Sequence, residues 1–387
     1  CVTMLLQHSD PALDPLCPAA PIVLALSPLV GSPLTTSAKF AVVSKSPLTQ
    51  RINDSLVSGG FALAAKKCGC DAIVIQGRAA IPSVLLIDDG RVCLEPAGSV
   101  WGQSCSAAQE QLHARYGPDF QAAVIGPAGE RRVRYATVSH AGRHAGRGGS
   151  GAVLGAKNLK AVLVRGAQHC GWADPVQLVA FARQLAAASR GPATAKYREL
   201  GTAANLLAIN RLHALPTCNF QRGSFPGAAQ LAPESLLASH PHIRAACVAC
   251  TIGCERVYGV QPGSSTAAGG ARMEYENLFA LGSLCGVSDP ATVLAASRQC
   301  DELGLDTIST GATIAFAMEC VERGWLAAPW LTFGAGPAVL RAIDMIARRE
   351  GLGDALAHGS RHLATTLGPA ALAVAPQVKG LELPGYD

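Results

Sequence analysis

The sequence predicts an α+β protein, a sheet-rich N-terminal domain followed by a mainly helical domain, and three observations carry that prediction. Short β-branched runs punctuated by Gly, Pro and Asp fill the chain to about Gly166. From Asp174 onward, apolar-periodic segments with capping and stop signals take over. With 49% hydrophobic and 15% charged residues, the 387-residue chain affords a sizeable core, which excludes disorder, and it shows no internal repeat. Its length suits two or three domains.

The strands come first: 40–44, 72–76, 83–87 and 161–165, with Ser106 to Arg115 as the clearest helix among them. Asp174-Pro175 pairs an N-cap with a proline at the first helical position and opens a helix to about Ser189. Asp289-Pro290 repeats the signal for a helix to Gly304. Two further helices fit Ile308 to Arg323, closed by Gly324, and Ala338 to Glu350, closed by Gly351. The composition shift near 166–173 divides the chain into 1–168 and 169–378, with 379–387 left over.

Thirty-two basic against 27 acidic residues leave +5, and no Lys/Arg run stands out, so a dedicated nucleic-acid protein is excluded. Fourteen cysteines are many, but most are scattered singly, without the spacing of a secreted disulfide scaffold. They read as reduced thiols of a cytoplasmic protein. The most apolar run, Pro21 to Val30, is short and bounded by proline, and no signal-type segment is present.

Four segments could carry chemistry. Cys247, Cys250 and Cys254 lie close enough together to wrap one inorganic centre, with Gly253 letting the loop turn. Zinc or a [4Fe–4S] cluster would each need a fourth ligand from elsewhere. His240 and His242 are candidates for zinc, or simply part of a solvated loop. The second segment, Gly142 to Gly155, combines dense glycine with Arg143 and Arg147. Exposed amides and guanidinium forks suit phosphate, whereas the bland reading is a glycine turn packed closely on a sheet. A dinucleotide fingerprint does not fit, because the glycine offset is wrong and Lys157, Lys160 and Arg165 follow where an acid is needed. The third is the glycine turn Ser58-Gly59-Gly60. The fourth comprises Glu274, Glu276, Asp301 and Asp306, carboxylates that in isolation read as surface charges.

Taken in order, these segments make the chain resemble the aldehyde ferredoxin oxidoreductase family over nearly its full length. The matching stretches include 41–49, 70–75, 125–130, Arg143 to Lys160, Asn219 to Gln221, the Cys247 loop, Glu274 to Glu276, Asp301 to Thr310 and Leu381 to Pro384. The resemblance implies a tungsten or molybdenum centre held by two pterins, with a [4Fe–4S] cluster beside them passing electrons to ferredoxin. It implies that Arg143, Gly146, Arg147 and Gly148 grip pterin phosphates and a bridging Mg ion, and that Lys39, Gly59, Asp301, Leu305 and Asp306 contact the pterins. Cys247, Cys250 and Cys254 would supply three cluster thiolates, and Glu276 would activate water or move protons. The implied reaction is aldehyde plus water to carboxylic acid.

Departures from the pattern are local. Lys39 replaces a usual Arg, and Val57 a usual Asn. Ala295 and Arg298 hold the positions that ligate an iron at the family's dimer interface, so a homodimer built on that iron is not expected. The resemblance also places an opening segment before Cys1 and a third, helical domain beyond Asp387, bearing the fourth thiolate and an active-site histidine. On that reading the chain is an inactive fragment of an enzyme. A non-catalytic scaffold and an aromatic acyl-thioester reductase subunit are the alternatives.

Overall fold

A computed structural model describes residues 2–8, 10–259 and 269–386; Cys1 and Asp387, the chain ends discussed above, lie outside them. The chain forms two compact units. The first runs to Gly191 and also takes in Cys247–Thr251 and Asp301–Leu305, while the second comprises Pro192–Ala246, Ile252–Cys300 and the chain from Asp306 on. The mixed α+β class is as the sequence predicts.

In the first unit, β1 (Ile22–Leu26), β2 (Lys39–Lys45), β3 (Ile52–Ser58) and β4 (Ala72–Ile75) form an antiparallel sheet in the order β3-β2-β1-β4. Central β1 is buried throughout, which is why IVLAL reads as a continuous apolar run rather than alternating. A six-stranded sheet follows: β5 (Ser83–Asp88), β6 (Arg91–Pro96), β7 (Gln121–Val124), β8 (Val138–His140), β9 (Arg143–Ala145) and β10 (Leu159–Arg165), in the order β6-β5-β10-β7-β8-β9. Only β10 and β5 pair in parallel. Apolar side chains from both sheets, Leu24, Phe40, Val42, Ala123 and Val162 among them, merge into one core with Phe61 of the helix Gly60–Lys67.

That helix and Ser150–Ala156 both begin in segments that the sequence marks only as glycine turns. The reason is burial. Phe61, Ala62, Ala64 and Ala65 face the core, and every residue of Ser150–Ala156 is buried, so packing decides where local turn propensity would not. The predicted helix Ser106–Arg115 extends over Cys105–Tyr116, with Ser104 Oγ accepting the Ala107 N–H as its cap.

The second unit is mainly helical. A small sheet of β11 (His242–Ala245), β12 (Glu255–Tyr258) and β13 (Ala271–Met273) leads into the helix Tyr275–Leu281. The helix Thr307–Glu322 is buried along nearly its whole length, and Gly336–Arg348 closes at Arg349 in the left-handed region. Asp174 caps Pro175–Ala188 through the Gln177 N–H, as its Asp-Pro signal requires. Among the described residues no single helix is long and apolar enough to cross a membrane.

Close backbone approach is the main packing device of the glycine segment. A Cβ on Gly155 would stand 1.9 Å from the Gly129 carbonyl oxygen, and one on Gly151 would stand 2.3 Å from that of Thr137. Gly155→Ala is therefore expected to destabilise the protein by about 1–3 kcal/mol, as overpacking does. Urea denaturation of the variant against the parent checks this.

Candidate cofactor and redox site

The site in the first unit is built on the end of β2, on β3 and on the β8–β9 hairpin. Lys39 opens β2 and pairs in register with Ser58, and the Gly59 N–H donates to the Ala38 carbonyl, so Lys39 and Gly59 share one strand end. Behind Gly59 lies His140, whose ring would be 2.3 Å from any Cβ there. His140 Nε2 accepts the Phe61 N–H at 3.1 Å, and its Nδ1 lies 2.9 Å from the Ala122 carbonyl, so the tautomer is fixed with the proton on Nδ1. Burial pushes its pKa down to about 4.

Arg143 begins β9, and Arg147 follows it in a loop clamped by its backbone to β3. The Arg147 N–H donates to Ser55 Oγ at 3.2 Å, and the Arg147 carbonyl accepts from Ser55 Oγ and from Asn53 Nδ2 at 3.0 Å. Gly148, with φ +83°, lies against Asn53 so closely that a Cβ would stand 2.1 Å from its side chain. Gly146 differs: its Cβ position meets nothing nearer than the His144 carbonyl at 4.0 Å. The close-packing reading holds over only part of the glycine segment. Residues from 148 onward are packing glycines, and Gly146 between two half-buried arginines presents open backbone. An anionic group fits there on both space and charge.

Asp301 and Asp306 are not surface charges, contrary to the isolated reading of those carboxylates. Asp301 is half-buried and stands 3.1 Å from His144 Nε2, while His144 Nδ1 lies 2.8 Å from Ser139 Oγ. Asp301 therefore joins the same hairpin as Arg143. Leu305 bridges to Ala136, and the Gly304 carbonyl accepts the Thr137 N–H. Asp306 is buried and caps Thr307–Glu322, accepting the Ile308 N–H at 3.0 Å and the Ser309 hydroxyl at 2.7 Å.

The cysteine loop divides between the units, Cys247 and Cys250 with the first and Cys254 with the second. The Ala249 carbonyl accepts the Thr36 N–H, and Thr35 Oγ1 binds both Oγ1 and N–H of Thr251. Those threonines lie just ahead of Lys39, so the start of the cysteine loop is docked at the strand end that carries Lys39 and Gly59. All three thiols are half-buried and none is bridged, the donor chemistry a sulfur-ligated centre requires. Among the described residues no three His, Cys, Asp or Glu side chains stand in metal-ligating geometry. His240 and His242 turn to Ser239, to the His240 carbonyl and to the Tyr258 ring.

Glu276 lies in the first turn of Tyr275–Leu281, where its Oε2 accepts the Gly385 N–H at 2.9 Å. Tyr275 donates its hydroxyl to the Gly385 carbonyl at 3.1 Å, and Tyr386 packs on Tyr275 at 4.1 Å. Gly385 admits no side chain, because a Cβ would lie 2.8 Å from Phe279 and Tyr275. Sequence reasoning missed His140, His144, Ser55 and the Thr35–Thr36 pair. The two histidines lie on β8 and β9, either side of the turn at Ala141-Gly142, and only the pairing of those strands brings them to the hairpin bearing Arg143.

Fold and site together place open backbone between two half-buried arginines on one unit and set three unbridged thiols in one loop. Family profiles agree over both parts of the chain: "Aldehyde ferredoxin oxidoreductase, N-terminal domain" matches residues 1–166, and "Aldehyde ferredoxin oxidoreductase, domains 2 & 3" matches 179–387. The chain belongs to the aldehyde ferredoxin oxidoreductase family. It is 38% identical to a tungsten-containing aldehyde ferredoxin oxidoreductase of Pyrococcus furiosus over 399 residues, covering 100% of this chain and 64% of that protein. The corresponding protein of Thermococcus kodakarensis is 37% identical, with the same coverage. An aliphatic sulfonate oxidoreductase, WOR-like subunit, of Pyrococcus furiosus is 28% identical over 97% of this chain and 61% of that one. Among solved structures, the active-site complex BamBC of benzoyl coenzyme A reductase with 1,5-dienoyl-CoA shares the fold, with a TM-score of 0.84 at 24% identity, covering 99% of this chain and 60% of that one. The chain thus spans less than two thirds of the length of these relatives.

His140 adds an acid-side pH dependence to this unit. Its folded pKa of about 4 lies below the unfolded value near 6.5, so the unfolded chain binds the extra proton and stability falls as pH drops from about 6.5 through 4. Urea midpoints measured across that window are expected to fall with pH, and His140→Gln should flatten the slope.

Proposed function

We propose that this chain forms the cofactor-gripping part of a tungsten- or molybdenum-bispterin oxidoreductase that converts aldehydes to carboxylic acids. Aldehyde and water give the acid, two protons and two electrons, and the electrons leave through a [4Fe–4S] cluster to ferredoxin. The bound metal supplies the two-electron redox chemistry. The reading is carried by one observation: open Gly146 backbone between Arg143 and Arg147, on a unit whose Lys39 strand end also holds the start of the cysteine loop.

Arg143 and Arg147 bind phosphate by paired N–H donors, and Lys39 adds a point charge. Gly146 lets the anion approach the main chain, and Gly59 and Gly148 keep β3 and the hairpin close enough for it to do so. A Mg ion bridging the phosphates suits this setting. Asp301, 3.1 Å from His144 Nε2, would accept hydrogen bonds from a bound pterin, with Leu305 beside it, and Asp306 fixes the start of the following helix. Cys247, Cys250 and Cys254 supply three cluster thiolates. Glu276, with one oxygen held by the Gly385 N–H, takes a proton from the attacking water.

Anaerobic expression of the complete translated protein, followed by metal and pterin analysis and a viologen-linked aldehyde assay, tests the proposal. Tungsten or molybdenum, pterin and aldehyde-dependent viologen reduction are expected. Protein with zinc or no metal, and no cluster signal in electron paramagnetic resonance, would turn the reading toward a scaffold. Cofactor with activity only on aromatic acyl thioesters would move it to a reductase subunit.

Arg147→Ala is expected to lower pterin occupancy about tenfold or more, the loss of one charge-assisted contact. Gly146→Ala should also lower occupancy while leaving the unfolding free energy from urea denaturation within about 0.5 kcal/mol of the parent. Glu276→Gln should keep the cofactor and reduce kcat by about 10²–10⁴-fold.

A further inference from the structure

Arg256 is a cation that meets no carboxylate among the described residues. It sits on β12 with 5% of its surface exposed. Its Nη1 donates to the carbonyls of Gly253 and Glu255, and its Nη2 to those of Arg198 and Glu199. Four carbonyls therefore satisfy the guanidinium, and no carboxylate among the described residues meets it. The buried acid beside it, Glu255, turns instead to Arg272. Isolated buried charge is costly, and folds normally pair it.

A second cation aggravates the imbalance. Arg244 on β11 is the register partner of Arg256, directly across the strand pair. Like charges so placed repel. Arg244 nevertheless points the same way, its Nε donating to the Gly253 carbonyl at 2.9 Å and its Nη2 to the Ile252 carbonyl at 2.6 Å. Both guanidiniums converge on the peptide carbonyl just before Cys254. Gly201 lets this packing close, since a Cβ there would lie 2.9 Å from the Cys254 carbonyl and 3.4 Å from Arg256 Cγ.

We propose that Arg256 and Arg244 are positioning residues that charge the Cys254 end of the loop positively and raise the reduction potential of the cluster bound there. The inference rests on the iron–sulfur reading given above. A thiolate-ligated cluster is an anion, and reduction adds one electron and one further negative charge. A fixed cation in a low-dielectric setting favours the reduced form more than the oxidised one. The buried Arg256 is then balanced only when the cluster is in place, which accounts for a desolvated guanidinium that no carboxylate among the described residues meets.

The test is a potentiometric titration of the complete, anaerobically purified protein, monitored by the electron paramagnetic resonance of the reduced cluster. Arg256→Met and Arg244→Gln are each expected to lower the reduction equilibrium constant about tenfold, a negative shift of about 59 mV for a one-electron couple. Arg256→Lys, which keeps the charge, should stay with the parent. Equal shifts in Arg256→Met and Arg256→Lys would reveal a purely structural role and overturn the proposal, as would an unmoved potential in Arg256→Met and Arg244→Gln. Arg244 is exposed, so its variant keeps the test open should Arg256→Met not fold. A cluster signal absent from parent and variants alike would overturn the iron–sulfur reading itself, and this inference with it.

Discussion

Everything in the first unit depends on main chains meeting without side chains between them. The helix Ser150–Ala156 lies against the short helix Pro127–Glu130 so closely that Gly155 touches the Gly129 carbonyl, and Gly149 lies equally close to that of Arg134. Gly126 meets the Leu303–Gly304 peptide in the same way. These contacts leave a methyl group no room, so the chain on both sides of the β8–β9 hairpin is fixed by backbone geometry alone. Arg143 and Arg147 project from that fixed frame. Donors for a charged ligand would need to be held before it arrives, and here rigidity comes from glycine rather than from bulk.

The basic residues of this segment divide by the same logic. Lys160 is buried and paired with Glu130, whose carboxylate also accepts the Gly102 N–H. Lys157 is buried too, its ammonium donating to the carbonyls of Pro18 and Gly77, and burial lowers its pKa to about 8. Both are struts that tie loops to the sheets. Arg143, Arg147 and Lys39 are half-buried and stand where the backbone is tied down. Proximity in sequence therefore says little about role, because three positions separate Lys157 from Lys160 and ten separate Lys157 from Arg147.

This division sets how far the sequence could be read. Strand cores such as 83–87 and the capped helices beginning at Asp174 and Asp289 were legible because their signals are local: β-branched runs, an Asp-Pro cap, a glycine stop. The helices at Gly60 and Ser150 were not, because burial against distant strands outweighs their glycine-rich starts. Among site residues, Arg143 and Arg147 stood out through their glycine company and the cysteines through spacing. His144, which stands 3.1 Å from Asp301 across 157 positions, and His140, which sits behind Gly59, owe their place to the pairing of β8 with β9 and to the packing of that hairpin. No one-dimensional pattern contains that pairing. The carboxylates illustrate the converse error: Asp301 and Asp306 look like surface charges until the fold turns both inward.

Strain marks where the second unit is most tightly determined. Cys218, Asn219 and Phe220 all have positive φ, 49°, 51° and 63°, a left-handed run with no glycine in it. Each such residue costs roughly 1–2 kcal/mol, so the run persists only because its surroundings leave it no alternative. Those surroundings are visible. Cys218 and Asn219 donate their N–H groups to the carbonyls of Ser283 and Leu284, and the buried Asn219 amide donates to Glu319 and to the Val374 carbonyl. Glu319 is held in turn by Arg323 one turn along the helix. The consequence falls on Phe220, whose ring meets Phe279 edge to face at 6.0 Å. Phe279 is three residues beyond Glu276 on the same helix and also walls in Gly385, the residue whose N–H holds the Glu276 carboxylate. A strained turn far away in sequence thus supports one side of the helix, and a glycine contact fixes the carboxylate on it, so the orientation of Glu276 is set from two directions by groups that have no chemistry of their own.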